Sequence, residues 1–279
     1  MNRAAARDNR SYVLGSHAEE RARLNRQHCI WQEAMLSAWQ RAGFGPGQRL
    51  IDLGCGPGFA SLELAELVGP SGGVLAIDSA AAYLDHLQEQ CRQRRLEQVR
   101  ILQHDLAEPL ASAALDAGSW DGAWCRWLAM FLPRLDPLLD LLKQALRPGG
   151  RLVLHEYVRW DSFALHPRGE QLARFVQRCI LHWRDHGGDP DVAARLPALL
   201  EARGFRLLHS DSLMACSPGD QPKALWLQDF LASYPAQLSA AGLWSATEQT
   251  ALEAELSWAR RHTSLWITPA LVEMVWERR

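Results

Sequence analysis

The chain is 279 residues long and 48% hydrophobic, enough to bury one domain carrying an insertion or one domain plus a cap. A formal net charge of -2, from 30 Lys+Arg against 32 Asp+Glu, supplies no electrostatic footprint for a phosphate backbone and weighs against nucleic acid as a partner. Six scattered cysteines without a CxxC pair, a polar stretch from Met1 to Arg10 and no apolar run of membrane-spanning length predict a cytoplasmic protein with reduced thiols.

The first periodic segment carries Leu24, His28, Trp31, Met35 and Trp39 at helical steps, an amphipathic helix expected to pack on the following domain or to roof its site. Residues 1–45 therefore read as an N-terminal helical cap. From Arg49 to His155, short apolar runs alternate with helical stretches, the pattern of βαβ units in a parallel sheet. Strands are expected at Arg49 to Leu53, Gly73 to Ile77, Val99 to about His104, Trp120 to about Arg126 and Arg151 to Glu156. A helix from Asp136, capped by Asp136-Pro137, stops at Arg147-Pro148-Gly149-Gly150. Beyond strand five the alternation breaks into a helical insertion near 159–189, with Leu172, Phe175, Val176, Cys179, Ile180 and Trp183 on one face. Leu196, Leu199 and Leu200 lead through another helix to Gly204, after which Phe205 to Cys216 reads as strand six. A second insertion near 217–261 holds one helix opened by Asp220 and Pro222 and another opened by Ser245, with Glu248 in capping-box spacing. Leu271 to Trp276 completes the count as strand seven.

The stretch from Leu50 to Phe59 carries chemistry, because a buried strand runs into Gly54, Gly56 and Gly58 before a helix. Glycines there permit a tight turn and close approach of a ligand, and the helix N-terminus offers unpaired N–H groups to an anion. Taken alone, the stretch reads either as such a site or as a plain strand-to-helix turn. Phe59 stands where a dinucleotide fingerprint wants glycine, which disfavours NAD. Asp78, at the end of strand two, is either a solvated strand-end acid or an acceptor for both hydroxyls of a ribose. Asp105 follows strand three, and Cys125-Arg126-Trp127 follows strand four, so four strand ends offer ligand-type residues at the edge where open α/β sheets bind.

These segments, with Ala76-Ile77-Asp78, His104-Asp105-Leu106 and Leu146 to Arg151, resemble the ordered motifs of class I S-adenosylmethionine-dependent methyltransferases. The likeness covers Arg49 to Tyr157. The leader Tyr12-Val13-Leu14-Gly15, followed by Glu20 and Arg23-Leu24, is similar to that of small-molecule members of the ubiquinone and menaquinone biosynthesis group. The resemblance implies an α/β fold, a Rossmann-like seven-stranded mostly parallel sheet with helices on both faces, filling 46–279 with its helical lid insertions. It further implies a site for S-adenosyl-L-methionine that includes Asp52, Gly54, Cys55, Gly56, Asp78, Ser79, Asp105 and Leu106, with Gly54 to Gly56 flanking the methionine part, Asp78 holding the ribose, and Asp105 with Leu106 bordering the adenine. Cys125, Arg126 and Trp127 complete that wall, and Tyr12 and Arg126 would reach the carboxylate end, unless they serve only to anchor the first helix and a surface ion pair.

Methyl transfer asks mainly for positioning and exclusion of water, since the sulfonium is already a good leaving group. A base is optional; His155 and Glu156, at the end of strand five, are the candidates, or else buried strand-end partners. No Asn/Asp-Pro-Pro-Tyr motif follows strand four, which disfavours nucleic-acid bases as acceptors. His182 and His186 share a helix face without an HExxH glutamate, so pocket lining or exposure is favoured over metal binding, and no metal is expected. Trp160, Trp183, Trp226, Trp244 and Trp258, with Phe163, Phe175, Phe230 and Tyr234, either line a pocket for a planar or lipophilic metabolite or form the core of a helical cap. Acceptance at oxygen, nitrogen or carbon, and a monomer or homodimer, remain equally compatible with the sequence. The same features also fit a noncatalytic sensor of S-adenosylmethionine or S-adenosylhomocysteine, or a partner subunit.

Overall fold

Residues apolar at consecutive positions of a strand must be covered on both faces, and this requirement organises the molecule. The computed structural model describes residues 18–111 and 115–279. Its seven-stranded sheet contains β1 (Arg49–Leu53), β2 (Gly73–Asp78), β3 (Val99–Gln103), β4 (Trp120–Arg126), β5 (Leu146–Arg159), β7 (Phe205–Ser212) and β10 (Ala270–Arg278). They lie in the order β3-β2-β1-β4-β5-β10-β7. Strands β1 to β5 pair in parallel, while β10 runs antiparallel to both β5 and β7. The order reverses between β1 and β4, and the crevice outside their carboxyl ends is where ligands of open α/β sheets bind.

Alternation along the strands divides the core. Leu50, Val74, Trp124, Val153 and Val275 face one layer, built from α1 (Ala18–Ala42) through Met35 and Trp39 and from α2 (Phe59–Val68) through Leu64 and Val68. Ile51, Leu53, Leu75, Ile77, Cys125, Leu152 and Leu154 face the other, which includes α4 (Asp136–Ala145). Between β2 and β3, α3 (Ala81–Arg94) buries Tyr83, Leu84, Leu87 and Cys91. Asp136 lies in the first turn of α4 and makes no capping bond; its carboxylate instead receives Arg203 at 2.5 Å.

Within the ranges expected for the insertions lie α5 (Glu170–Asp185), α7 (Pro222–Ala240) and α8 (Ala246–Arg261), and α6 (Leu196–Glu201) is the separate helix expected before Gly204. The apolar stripe of α5 is buried at all six expected positions. Ser245 and Glu248 form the expected capping box, with Ser245 N–H donating to Glu248 at 2.9 Å and Glu248 N–H to Ser245 Oγ at 3.2 Å. Strand six ends earlier than expected: Cys216 belongs to β8 (Cys216–Pro218), which with β6 (Ala164–His166) and β9 (Leu265–Ile267) forms a small antiparallel sheet in the order β6-β9-β8. Segments of three residues leave no periodicity to read. No helix among the described residues is long and apolar enough to cross a membrane.

The glycine turn depends on Gly58, whose φ of 86° is left-handed and whose added Cβ would lie 2.3 Å from a methyl of Leu87. Gly58→Ala should therefore cost about 1–3 kcal/mol through backbone strain and overpacking, read as a lowered urea midpoint with unchanged slope.

Candidate functional site

A cleft of about 780 Å³ opens at the carboxyl ends of β1, β2 and β4. The turn after β1 contributes Asp52, Gly54, Cys55 and Gly56, the end of β2 contributes Asp78 and Ser79, and the segment after β3 contributes Asp105 and Leu106. Arg126 and Trp127 form the wall beyond β4, and Leu24, Gln27 and His28 of α1 cover the opening. Of the expected wall, Cys125 is absent: it is fully buried, its Sγ 3.7 Å from Glu156, because alternation turns it into the core beneath Arg126. Tyr12 lies outside the described residues.

Asp78 is held by two backbone donors, Gly56 N–H to Oδ2 at 2.8 Å and Ala80 N–H to Oδ1 at 2.9 Å. Burial raises its pKa, and these N–H groups work in the opposite direction. Each oxygen keeps acceptor capacity for a further donor. Asp52 is 2% exposed and accepts Ser61 Oγ–H at 2.5 Å; burial pushes its pKa up to about 6 against Ser61 and the charge of Arg126. Asp105 closes its own turn by accepting Ala107 N–H at 2.9 Å.

Burial lowers the pKa of Arg126 to about 10, which leaves it cationic at neutral pH. Its Nη2 meets His28 Nδ1 at 3.1 Å, and its guanidinium stands 5.2 Å from the Trp127 ring centre. His28 Nε2 lies 2.9 Å from Glu63 Oε1, and Phe59, the first residue of α2, has its ring 5.6 Å from His28. The sequence sets His28 on the stripe of the first helix but gives neither it nor Glu63 a role, since the contact joins residues of two helices packed together only by the fold.

His155 and Glu156, the expected bases, are both fully buried and outside the cleft. His155 packs on Trp124 and places Nε2 3.2 Å from Glu273, and Glu156 accepts the N–H groups of Leu128 at 2.9 Å and Ala129 at 2.8 Å. They point to opposite faces of a central strand that is covered on both sides, so neither meets the ligand edge. His182 and His186 line the cleft instead, with rings 4.6 Å apart. His186 Nδ1 lies 2.7 Å from the carbonyl of His182, an acceptor only, so Nδ1 carries the proton and Nε2 is the basic nitrogen. His182 Nδ1 meets Tyr234 Oη at 2.7 Å.

A smaller cavity of about 60 Å³ adjoins the cleft and shares Gln27, Trp127 and Phe131 with it. Its walls are aromatic, with Tyr157, Trp160, Phe163, Trp183, Trp226 and Phe230. Trp127 stacks between Tyr157 at 6.0 Å and Trp226 at 5.4 Å, and its φ of 52° is one that non-glycine residues seldom accept. The aromatic residues of the insertions thus divide. Trp160, Phe163, Trp183, Trp226 and Phe230 reach the cavity, whereas Phe175, Tyr234 and Trp244 pack behind it as cap core, and Trp258 stacks on His262 outside.

Comparison with known proteins gives a match of residues 45–190 to the family described as a methyltransferase domain. The nocamycin O-methyltransferase of Saccharothrix syringae is 35% identical over 109 residues, 39% of this chain and 38% of that protein. A ubiquinone biosynthesis O-methyltransferase of Xanthomonas oryzae pv. oryzae is 30% identical over 152 residues, 54% of this chain and 61% of that one. The match therefore spans less than two thirds of either relative. Among solved structures, the geranyl diphosphate C-methyltransferase of Streptomyces coelicolor A3(2) superposes with a TM-score of 0.58 at 17% identity, covering 100% of this chain and 90% of that one. That likeness concerns the fold.

Proposed function

Because the chain belongs to the methyltransferase domain family, with the class I S-adenosylmethionine-dependent fold, we propose that it methylates a small aromatic or lipophilic metabolite by in-line transfer. One observation carries this reading: a polar, glycine-lined cleft and an aromatic cavity share Trp127 and Phe131 as common walls. The cleft fits the cofactor on its own chemistry. Asp78 has acceptor capacity for the ribose hydroxyls, Gly54 and Gly56 would let the cofactor approach the chain closely, and Asp105 with Leu106 would border the adenine. Arg126, with no carboxylate within 4 Å among the described residues, suits an amino-acid carboxylate. When bound, S-adenosylmethionine supplies an electrophilic methyl on a sulfonium.

The protein's part is to orient the acceptor and keep water out. The aromatic walls give a planar or lipophilic group large contact area at fixed orientation. The names of two matched relatives support oxygen as an acceptor atom, and that of the nocamycin enzyme supports a place in secondary metabolism. A proton leaving an acceptor hydroxyl or amine has His186 Nε2 within the same cleft. The six unpaired cysteines suit a reducing compartment, and we place the protein in the cytoplasm.

The test is incubation of the purified protein with methyl-labelled S-adenosylmethionine and metabolite extracts, read by mass spectrometry. A labelled small product is expected. Cofactor binding without any product would replace the enzyme with a sensor, and failure to bind the cofactor would overturn the reading. With the acceptor identified in this way, His186→Gln should lower kcat about tenfold, less than a general base usually contributes because the leaving group needs little help. Unchanged kcat would remove His186 from the reaction.

A further inference from the structure

We propose that His28 and Glu63 form a positioning relay that holds Arg126 toward the amino-acid end of the cofactor, so that the covering helix α1 takes part in cofactor recognition. The proposal rests on the cofactor reading above. Three separate elements meet in it: Arg126 ends β4, His28 lies on α1 and Glu63 on α2.

A guanidinium can only donate, so the 3.1 Å contact makes His28 Nδ1 the acceptor and puts the imidazole proton on Nε2. That N–H then donates to Glu63 Oε1 at 2.9 Å, and Gln32 Nε2 donates to the same oxygen at 2.5 Å. Donor and acceptor alternate along the whole chain, so the ring has one tautomer and one orientation that satisfies both ends. His28 is 5% exposed and sits against Phe59, leaving it little room to turn. Burial alone would raise the pKa of Glu63, but its contacts to His28 and Gln32 and the charge of Arg126 bring it below the ordinary glutamate value.

Arg126 itself is short of a counter-ion. Among the described residues no carboxylate comes within 4 Å of it, and Asp52 and Glu63 act on it only through space. Its surroundings are the imidazole of His28 at 3.1 Å, Met35 Sδ at 4.0 Å and the faces of Trp124 and Trp127 at 5.7 and 5.2 Å. A desolvated cation in the wall of a cleft is stabilised by an incoming anion, and one held in a single geometry loses less freedom when that anion binds. The carboxylate of the cofactor's amino-acid part is an anion of the required kind.

The relay is tested by calorimetry of the full chain with two ligands that share the adenosine and the thioether, S-adenosylhomocysteine and 5′-methylthioadenosine; the second lacks the amino-acid part. The unaltered protein should bind S-adenosylhomocysteine more tightly. His28→Gln and Glu63→Gln should each weaken S-adenosylhomocysteine about tenfold and leave 5′-methylthioadenosine unchanged, which also reports that the variants are folded. In an Arg126→Met background, Glu63→Gln should add no further loss, because the groups act as one unit. Equal weakening of both ligands would make His28 and Glu63 merely structural and overturn the relay, as would unchanged affinity for S-adenosylhomocysteine or an additive loss in the double variant. If the unaltered protein binds the two ligands equally, the relay falls while the cofactor reading stands. Binding of neither overturns the cofactor reading itself.

Discussion

Asp78→Ala should weaken binding of S-adenosylhomocysteine by about 10- to 150-fold, the equivalent of the 1.5–3 kcal/mol typical of hydrogen bonds to a charged group. The side chain is placed for this by two constraints. It ends β2 at the edge of the cleft, and the N–H groups of Gly56 and Ala80 hold its two oxygens at 2.8 and 2.9 Å. A ribose lying across that edge would complete the coordination of the carboxylate. Alanine removes both the charge and the acceptors, and it also frees the Gly56 N–H on which the glycine turn leans. Asp78→Asn separates these effects, since it keeps one acceptor without the charge and should fall between alanine and the original residue. Calorimetry gives the affinities, and circular dichroism shows whether the sheet survives. Affinity unchanged by either substitution would remove Asp78 from the cofactor site.

Glu273→Ala should cost about 3 kcal/mol of stability at neutral pH. Glu273 is fully buried on β10, where Arg41 Nε donates to it at 2.8 Å and His155 Nε2 lies 3.2 Å away. His209 Nε2 approaches within 3.7 Å. Breaking a buried pair by removing one partner typically costs 3–5 kcal/mol, and the lower end applies because the Arg41 side chain is 40% exposed and water screens part of its charge. Burial would raise the pKa of Glu273, but His155 and Arg41 hold it down at about 2. A carboxylate with a folded pKa below its unfolded value near 4.3 stabilises the fold fully above the unfolded value. That contribution is lost as the pH falls through the folded value. Urea denaturation of the original chain and the variant should therefore show a gap that narrows as the pH falls below about 4. A gap independent of pH down to 3 would mean that Glu273 stabilises by packing and not by charge.

Both predictions lie on strands that could be placed from sequence, but only one of the two side chains could be given a role that way. Asp78 follows an apolar strand and precedes a helix, and the residue at that junction must lie at the sheet edge in any βαβ unit. Glu273 sits inside an apolar run, where sequence shows an acid in a strand without showing its counter-ions. Arg41 and His155 lie far from it in the chain and come together only when α1 and β5 pack beside β10.

The glycine turn, the five parallel strands, the stripe of α5 and the capping box of α8 were determined locally. Each depends on the conformational freedom or periodicity of residues within a few positions of one another. His155 and Glu156 looked available because strand five leads toward the ligand edge. The tertiary structure buried both, since β5 continues to Arg159 and is flanked by β4 and β10. It likewise gathered His28, Glu63 and Arg126 into one hydrogen-bonded chain, and it divided the aromatic residues of the lid between a cavity wall and a packed core. Local sequence thus decided which elements form and where the ligand edge of the sheet lies, because turns and periodicities are short-range. Only the packing of α1, α5 and α7 over that edge decided which side chains face it, because burial and hydrogen-bond partners depend on surfaces that distant segments bring together.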